Sequence, residues 1–106
     1  MEPKEVQAQQ EQVQVLDVRE PEEWHAGRIP GAQWIRMDEL SERIGELDPD
    51  RPVVTVCRSG GRSGKMAEFL TERGYRADNL DGGMQAWADA GLPVQTPDDE
   101  RPGKVA

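Results

Sequence analysis

Hydrophobic positions in this 106-residue chain fall into short β-branched runs separated by amphipathic stretches. Val13 to Val18 is such a run, interrupted by Gln14 and Asp17, and predicts a first strand. Gln33 to Arg36 predicts a second, Pro52 to Val56 a third and Tyr75 to Leu80 a fourth. The third has the fewest polar interruptions, which places it centrally with both faces covered. Between the strands, Pro21 to Ala26 predicts a short helix, with proline in its first turn, acids near its N-terminus and Gly27 as its stop. Met37, Leu40, Ile44 and Leu47 line one face of an amphipathic helix, with Asp38, Glu39, Glu42 and Arg43 outside, and Asp48-Pro49-Asp50 ends it. Gly64 to Arg73 predicts a helix burying Met66, Phe69 and Leu70, with Gly74 just past its end. Asp81-Gly82-Gly83 then turns into a last helix from Met84 to Ala88, ending near Gly91.

The ends carry less pattern. Pro3 to Gln10 predicts a short helix with only Val6 and Ala8 to anchor it, and Gln7 to Gln14 reads as a solvated helix and linker. Leu92-Pro93-Val94 either packs back or trails away. Residues 96–106 hold two prolines, several charges and almost nothing to bury, so a disordered tail is expected after one domain over residues 1–95. Alternation of strand and helix specifies an α/β domain with a mainly parallel sheet and helices on both faces. Ligands of such folds sit beyond the carboxyl ends of the strands. The third strand ends there at Cys57, the only cysteine.

Charge and composition narrow the function. Acidic residues outnumber basic ones 21 to 13, a formal charge of −8, which argues against a nucleic-acid or acidic-membrane binder. No apolar run approaches the ~20 residues of a membrane span. Met1-Glu2-Pro3-Lys4 is unlike a secretory signal, so a soluble cytoplasmic protein is the expectation. One cysteine excludes an internal disulfide and a Cys-x-x-Cys pair. One histidine, His25, and one cysteine assemble no metal cluster, and no cofactor is expected. Trp24, Trp34 and Trp87 are scattered over different elements, as core or pocket walls rather than a base-stacking platform.

The candidate chemistry lies in Cys57-Arg58-Ser59-Gly60-Gly61-Arg62-Ser63. A lone cysteine is by default a small buried packing residue. Here it stands at a strand end, before two glycines, two arginines and a helix. Loop N–H groups, a helix N-terminus and Arg62 can each stabilise negative sulfur, lowering a thiol pKa from ~8.5 into roughly the 3.5–7.5 range. Gly60 and Gly61 let the backbone curl closely around a ligand. Arg58 and Lys65 add local positive charge that would draw anionic substrates to this patch. No second cysteine can resolve a modified Cys57, so whatever it picks up must pass to an outside acceptor or be hydrolysed.

Asp17 and Arg19 end the first strand on the side of Cys57, either bracing the loop together with Ser63 or forming an ion pair and turn cap. Asp81-Gly82-Gly83 reads as a tight turn and cap in preference to a second anion bowl. Adjacent Glu22 and Glu23 face different sides of their helix and do not make a catalytic carboxylate pair.

Four separate motifs share one resemblance. Leu16-Asp17-Val18-Arg19-Glu20-Pro21-Glu22-Glu23-Trp24, Gly27-Arg28-Ile29-Pro30-Gly31-Ala32, the loop from Cys57 to Arg62, and Leu80-Asp81-Gly82-Gly83 through Trp87 resemble, in order, the single-domain rhodanese (thiosulfate sulfurtransferase) family. The resemblance covers the chain to about Val94. It implies a central parallel five-stranded sheet and a Cys57 thiolate that takes sulfane sulfur from a small anionic donor such as thiosulfate. The resulting persulfide would deliver sulfur to cyanide or another thiophilic acceptor, with Arg58, Ser59, Gly60, Gly61 and Arg62 binding the donor. It also hints that arginine after the cysteine suits thiosulfate better than mercaptopyruvate. Family members often carry histidine where this chain has Arg28, at a structural turn.

Two other functions stay open. One is a sulfur-carrier or regulatory module that exchanges sulfur with a protein partner. The other is a dual-specificity cysteine phosphatase of the related type that shares this fold. Those enzymes place five residues between cysteine and arginine, whereas four stand here, and no aspartic acid is evidently positioned to protonate an alcohol leaving group.

Overall fold

The computed structural model describes residues 1–96 and residue 105. Its helices are α1 (Pro3–Ala8), α2 (Pro21–Ala26), α3 (Leu40–Arg43), α4 (Gly61–Glu72) and α5 (Gly83–Asp89). Its strands are β1 (Gln14–Asp17), β2 (Gln33–Trp34), β3 (Val53–Val56) and β4 (Ala77–Asn79). They form one sheet in the order β2-β1-β3-β4, with every neighbouring pair parallel.

The expected fifth strand is not among the described residues, where the sheet has four. Leu92 and Val94 do pack back against the core. Pro93 between them has no N–H for a ladder. The pairing there is instead a single antiparallel bridge, in which Arg28 and Gln95 exchange N–H···O bonds of 3.0 and 2.9 Å. Trp87, fully buried, holds the return by donating its indole N–H to Pro93 O at 2.7 Å. Thr96, assigned from sequence to the tail, is buried, and Val105 packs on the same core cluster; residues 97–104 and 106 of that expected tail lie outside the described residues.

All four residues of β3 are buried, as a central strand requires. Alternation along β1 and β3 divides the core in two. Val15, Val54 and Val56 meet Val6 of α1 with Met84 and Trp87 of α5. Leu16, Val53 and Cys57 meet Leu40 of α3 and Leu70 of α4 on the other face. Helices therefore cover both faces, and Cys57 points to the side of α4. Among the described residues no helix is long and apolar enough to cross a membrane.

Two helices depart from the sequence pattern. Residues 37–47 form only the single turn α3 between 3-10 turns Met37–Glu39 and Ile44–Glu46. Apolar spacings of three at both ends suit 3-10 geometry as well as α, and Gly45 gives little helical support. Helix α4 begins at Gly61, three residues before the expected Gly64. Arg62 and Ser63 consequently sit in its first turn, and only Arg58, Ser59 and Gly60 separate it from the cysteine.

Helix α5 abuts the strand-end loop. Met84 N–H donates to Cys57 O at 2.8 Å and Gln85 N–H to Arg58 O at 3.1 Å. Gly83, at φ +59°, permits this approach: a Cβ there would lie 2.5 Å from Cys57 O and 2.6 Å from Arg58 C and O. These are backbone atoms that cannot yield without moving the loop. Gly83→Ala should therefore destabilise the domain by about 1–3 kcal/mol. Gly45→Ala, with nothing within 4 Å, should stay within about 0.5 kcal/mol. Urea midpoints at unchanged m-value measure the difference.

Candidate active site

Parallel β3 delivers Cys57 to the rim of the sheet, where the residue is 1% exposed. Gly60 turns the chain at φ +109° and caps α4. That left-handed conformation costs a glycine little, and it aims the Gly60 N–H at Cys57 Sγ, 3.0 Å away. The Ser63 hydroxyl, from the first turn of α4, lies 3.2 Å from the same sulfur. Burial pushes the Cys57 pKa up, but hydrogen bonds from the Ser63 hydroxyl and from the N–H groups of Ser63, Gly60 and Ser59 outweigh it and lower the thiol below its ordinary value. The arrangement stabilises negative charge on sulfur.

The loop's cations are placed differently from one another. Arg58 is exposed, and among the described residues no carboxylate pairs with it. Arg62 is docked on α2, where Nη1 and Nη2 reach Glu23 Oε1 and Oε2 at 2.7 and 2.8 Å. Those bonds raise the Arg62 pKa, with smaller contributions from the charges of Glu23 and Cys57. Arg62 thus acts on the sulfur electrostatically while tied to a carboxylate. Glu23 is itself fixed, since its Oε1 accepts the Glu20 N–H at 3.1 Å at the start of α2. Ser59 and Gly61 are exposed on the outer side of the loop, and Lys65 is exposed one turn along α4.

Asp17 and Arg19 adopt the simpler of their two expected roles. Arg19 Nη2 reaches Asp17 Oδ2 at 2.8 Å with both side chains buried, and also donates to Gly27 O at 2.8 Å. Trp34 Nε1 donates to Arg19 O at 2.9 Å. The pair closes the turn after α2 and is not hydrogen-bonded to the cysteine loop. Burial raises the Asp17 carboxyl above its ordinary range, opposed by the hydrogen bonds and charge of Arg19. Arg28 lies with its guanidinium 4.5 Å from the Trp24 ring centre. Trp24 stacks on Trp34 at 5.5 Å, and exposed His25 meets Trp34 edge-on. The Asp81-Gly82-Gly83 turn makes no second bowl, because the N–H groups of Met84 and Gln85 are spent on Cys57 and Arg58.

Sequence reasoning missed two neighbours of the site. Glu23 stands 39 positions from Arg62, and nothing local announces their meeting. Asn79 pairs in register with Thr55, two residues before Cys57. Its Nδ2 donates to Gly60 O at 3.0 Å and its Oδ1 accepts from Ser63 Oγ at 2.5 Å.

The Glu23–Arg62 pair predicts an acid signature. Hydrogen bonds from Arg62 chiefly lower the Glu23 pKa from its ordinary 4.5. A lowered carboxyl contributes stability above its unfolded pKa and loses it as pH falls through the folded value. Glu23→Gln should therefore be less stable than the parent at neutral pH, by no more than about 1 kcal/mol because Arg62 is partly exposed and screened. The gap should close as pH falls below about 4.5, read from urea unfolding across pH.

Comparison with known proteins agrees with this geometry. A sulfurtransferase of Allochromatium vinosum is 42% identical over 86% of this chain and 86% of its own length. The thiosulfate sulfurtransferase GlpE of Shewanella oneidensis is 39% identical over 74% of this chain and 78% of its own. The crystal structure of a rhodanese-related protein from Thermoplasma volcanium superposes with a TM-score of 0.85 at 33% identity, over 89% of this chain and 94% of that one. Residues 2–90 match the family model of the rhodanese-like domain. Carrying that match over nearly its whole described length, on the fold and loop just described, the chain belongs to the rhodanese family.

Proposed function

We propose that this domain is a sulfurtransferase that carries sulfane sulfur on Cys57. The observation that carries the reading is the sulfur itself, at the end of a buried central strand with the Gly60 N–H at 3.0 Å and the Ser63 hydroxyl at 3.2 Å. Such donors favour the thiolate, the form able to attack. With thiosulfate as donor, Cys57 Sγ attacks the outer sulfur, a new S–S bond forms, and the bond to the sulfonate sulfur breaks. Sulfite leaves with that electron pair. Cyanide, or another thiophile, then attacks the outer sulfur of the persulfide; the persulfide S–S bond breaks, its electron pair returns to Sγ, and thiocyanate departs. Charge balances in both steps without a cofactor. Exposed Arg58 meets the anionic donor, the loop N–H groups that face Cys57 Sγ favour negative charge there, and Arg62 supports the sulfur from its seat on Glu23. The relative named as a thiosulfate sulfurtransferase supports thiosulfate as first choice of donor.

A second reading has one observation in its favour. Glu23 already neutralises Arg62, so the loop offers a free dianion less positive charge than its sequence promises. That suits a carrier which receives its sulfur from a partner protein's persulfide and turns over small donors slowly.

Intact mass spectrometry after incubation with thiosulfate tests the main reading. The expected result is a gain of one sulfur, removed by cyanide and absent in Cys57→Ala. Steady thiocyanate production by the domain alone supports the enzyme; a stable adduct with negligible turnover supports the carrier. No adduct with any sulfane donor overturns both, and Cys57-dependent hydrolysis of an aryl phosphate would put a phosphatase in their place.

A further inference from the structure

One hydroxyl proton beside the sulfur has two acceptors. Ser63 Oγ lies 3.2 Å from Cys57 Sγ and 2.5 Å from Asn79 Oδ1. A serine hydroxyl carries one proton and cannot donate to both. The Asn79 amide is oriented by its other end: Nδ2 donates to Gly60 O at 3.0 Å, and a flipped amide would set two oxygens against each other. Neither side chain can easily turn away. Asn79 is held in β4 beside Thr55, and the Thr55 hydroxyl donates to Ser63 O at 2.8 Å.

We propose that Asn79 is a positioning residue for Cys57, holding the Ser63 hydroxyl proton while the sulfur is a thiol and releasing it when the sulfur becomes a thiolate. In the thiol state Ser63 donates to Asn79 Oδ1. On ionisation the hydroxyl turns about its C–O bond to the negative sulfur, because a charge-assisted hydrogen bond is stronger than a neutral one. Asn79 Oδ1 then loses its donor. Ionisation breaks one neutral hydrogen bond while making a charged one, so Asn79 keeps the thiol pKa above the value Ser63 alone would set. The consequence for transfer rests on the sulfur-carrying reading. Within a persulfide, Sγ bears little charge and the proton belongs to Asn79; as the S–S bond breaks and the electron pair returns to Sγ, the hydroxyl swings back to the departing thiolate.

The surrounding charges do not change with Asn79 or Ser63, which are both neutral. From α4 come Arg62 and exposed Lys65, with Glu23 of α2 behind Arg62. Arg58 follows the cysteine. Exposed Asp78 and Asp81 flank Asn79 and Leu80 and pair at 3.4 Å with the Met1 amino group, which donates to Asn79 O at 2.8 Å. At the end of β1 Arg19 is shared between Asp17 and Gly27 O, with its Nη1 buried and unpaired among the described residues.

The test is the thiol pKa, taken from the pH dependence of Cys57 alkylation by iodoacetamide with no sulfur donor present. Ser63→Ala should raise the midpoint. Asn79→Ala should lower it by about half to one pH unit, the worth of one neutral hydrogen bond. In the double variant Asn79→Ala should add nothing to Ser63→Ala. A midpoint that rises or stays put in Asn79→Ala overturns the proposal. So does a shift of equal size in both backgrounds, which would mean that Asn79 acts through Gly60. The unaltered protein supplies a check that no folding defect can spoil: the Asn79 side-chain amide resonance should titrate at the Cys57 midpoint, and a flat response also overturns it. These readouts need no persulfide, so absence of a sulfur adduct would sink the transfer reading and leave the proton's division between Ser63 partners to be judged alone.

Discussion

Burial opposes ionisation of the Cys57 sulfur, and the neighbouring elements are arranged so that donors reverse that opposition. The residue ends a strand buried along its whole length. Water therefore cannot supply the stabilisation, and the chain supplies it from its own backbone and one hydroxyl. Gly60 contributes an N–H by adopting a left-handed conformation. Helix α4 contributes Ser63 from its first turn. Each donor needs a fixed backbone, so the elements that hold the loop matter as much as the loop itself.

Three such supports come from separate parts of the chain. Helix α5 ties down the carbonyls of Cys57 and Arg58 from one side, an approach open only to glycine at position 83. Strand β4 places Asn79 against Gly60 and Ser63. Helix α2 presents Glu23 to Arg62. A loop pinned from three directions has little entropy left to lose, which is what a pre-organised site requires. The same pinning explains why Arg62 braces the loop from α2 instead of reaching freely over it.

Much of this was legible in the chain, and for local reasons. β-branched runs marked β1 and β3, short segments between turn signals marked β2 and β4, and a proline and a glycine marked the bounds of α2, because those signals act over a few residues. The place of Cys57 at a strand end, ahead of a turn and a helix, was legible from Gly60, Gly61 and the β-branched run before it. The start of α4 was misplaced because Gly61 looks like loop; the cap is Gly60, whose N–H and carbonyl are engaged by Cys57 Sγ and Asn79, groups the local sequence does not announce. The continuous helix expected from Met37 to Leu47 was misread because an apolar spacing of three suits a 3-10 turn equally well. A fifth strand was expected by resemblance, and where the chain returns past Pro93, which has no N–H, only the single bridge of Gln95 to Arg28 forms among the described residues.

Taken alone, the sequence determined the alternation of elements, the parallel sheet it implies, and the position of one thiol at a strand's carboxyl end. These depend on periodicity and on residues adjacent in the chain. Only the tertiary structure decided which distant groups meet that thiol. Glu23 neutralises Arg62, Asn79 competes for the Ser63 proton, and Arg19 is taken by Asp17 and Gly27 O although β1 ends beside Val56 and the loop. The reason is physical: a charge or a hydroxyl proton is shared according to distances of about three ångströms, and strand register and helix packing set those distances across tens of residues.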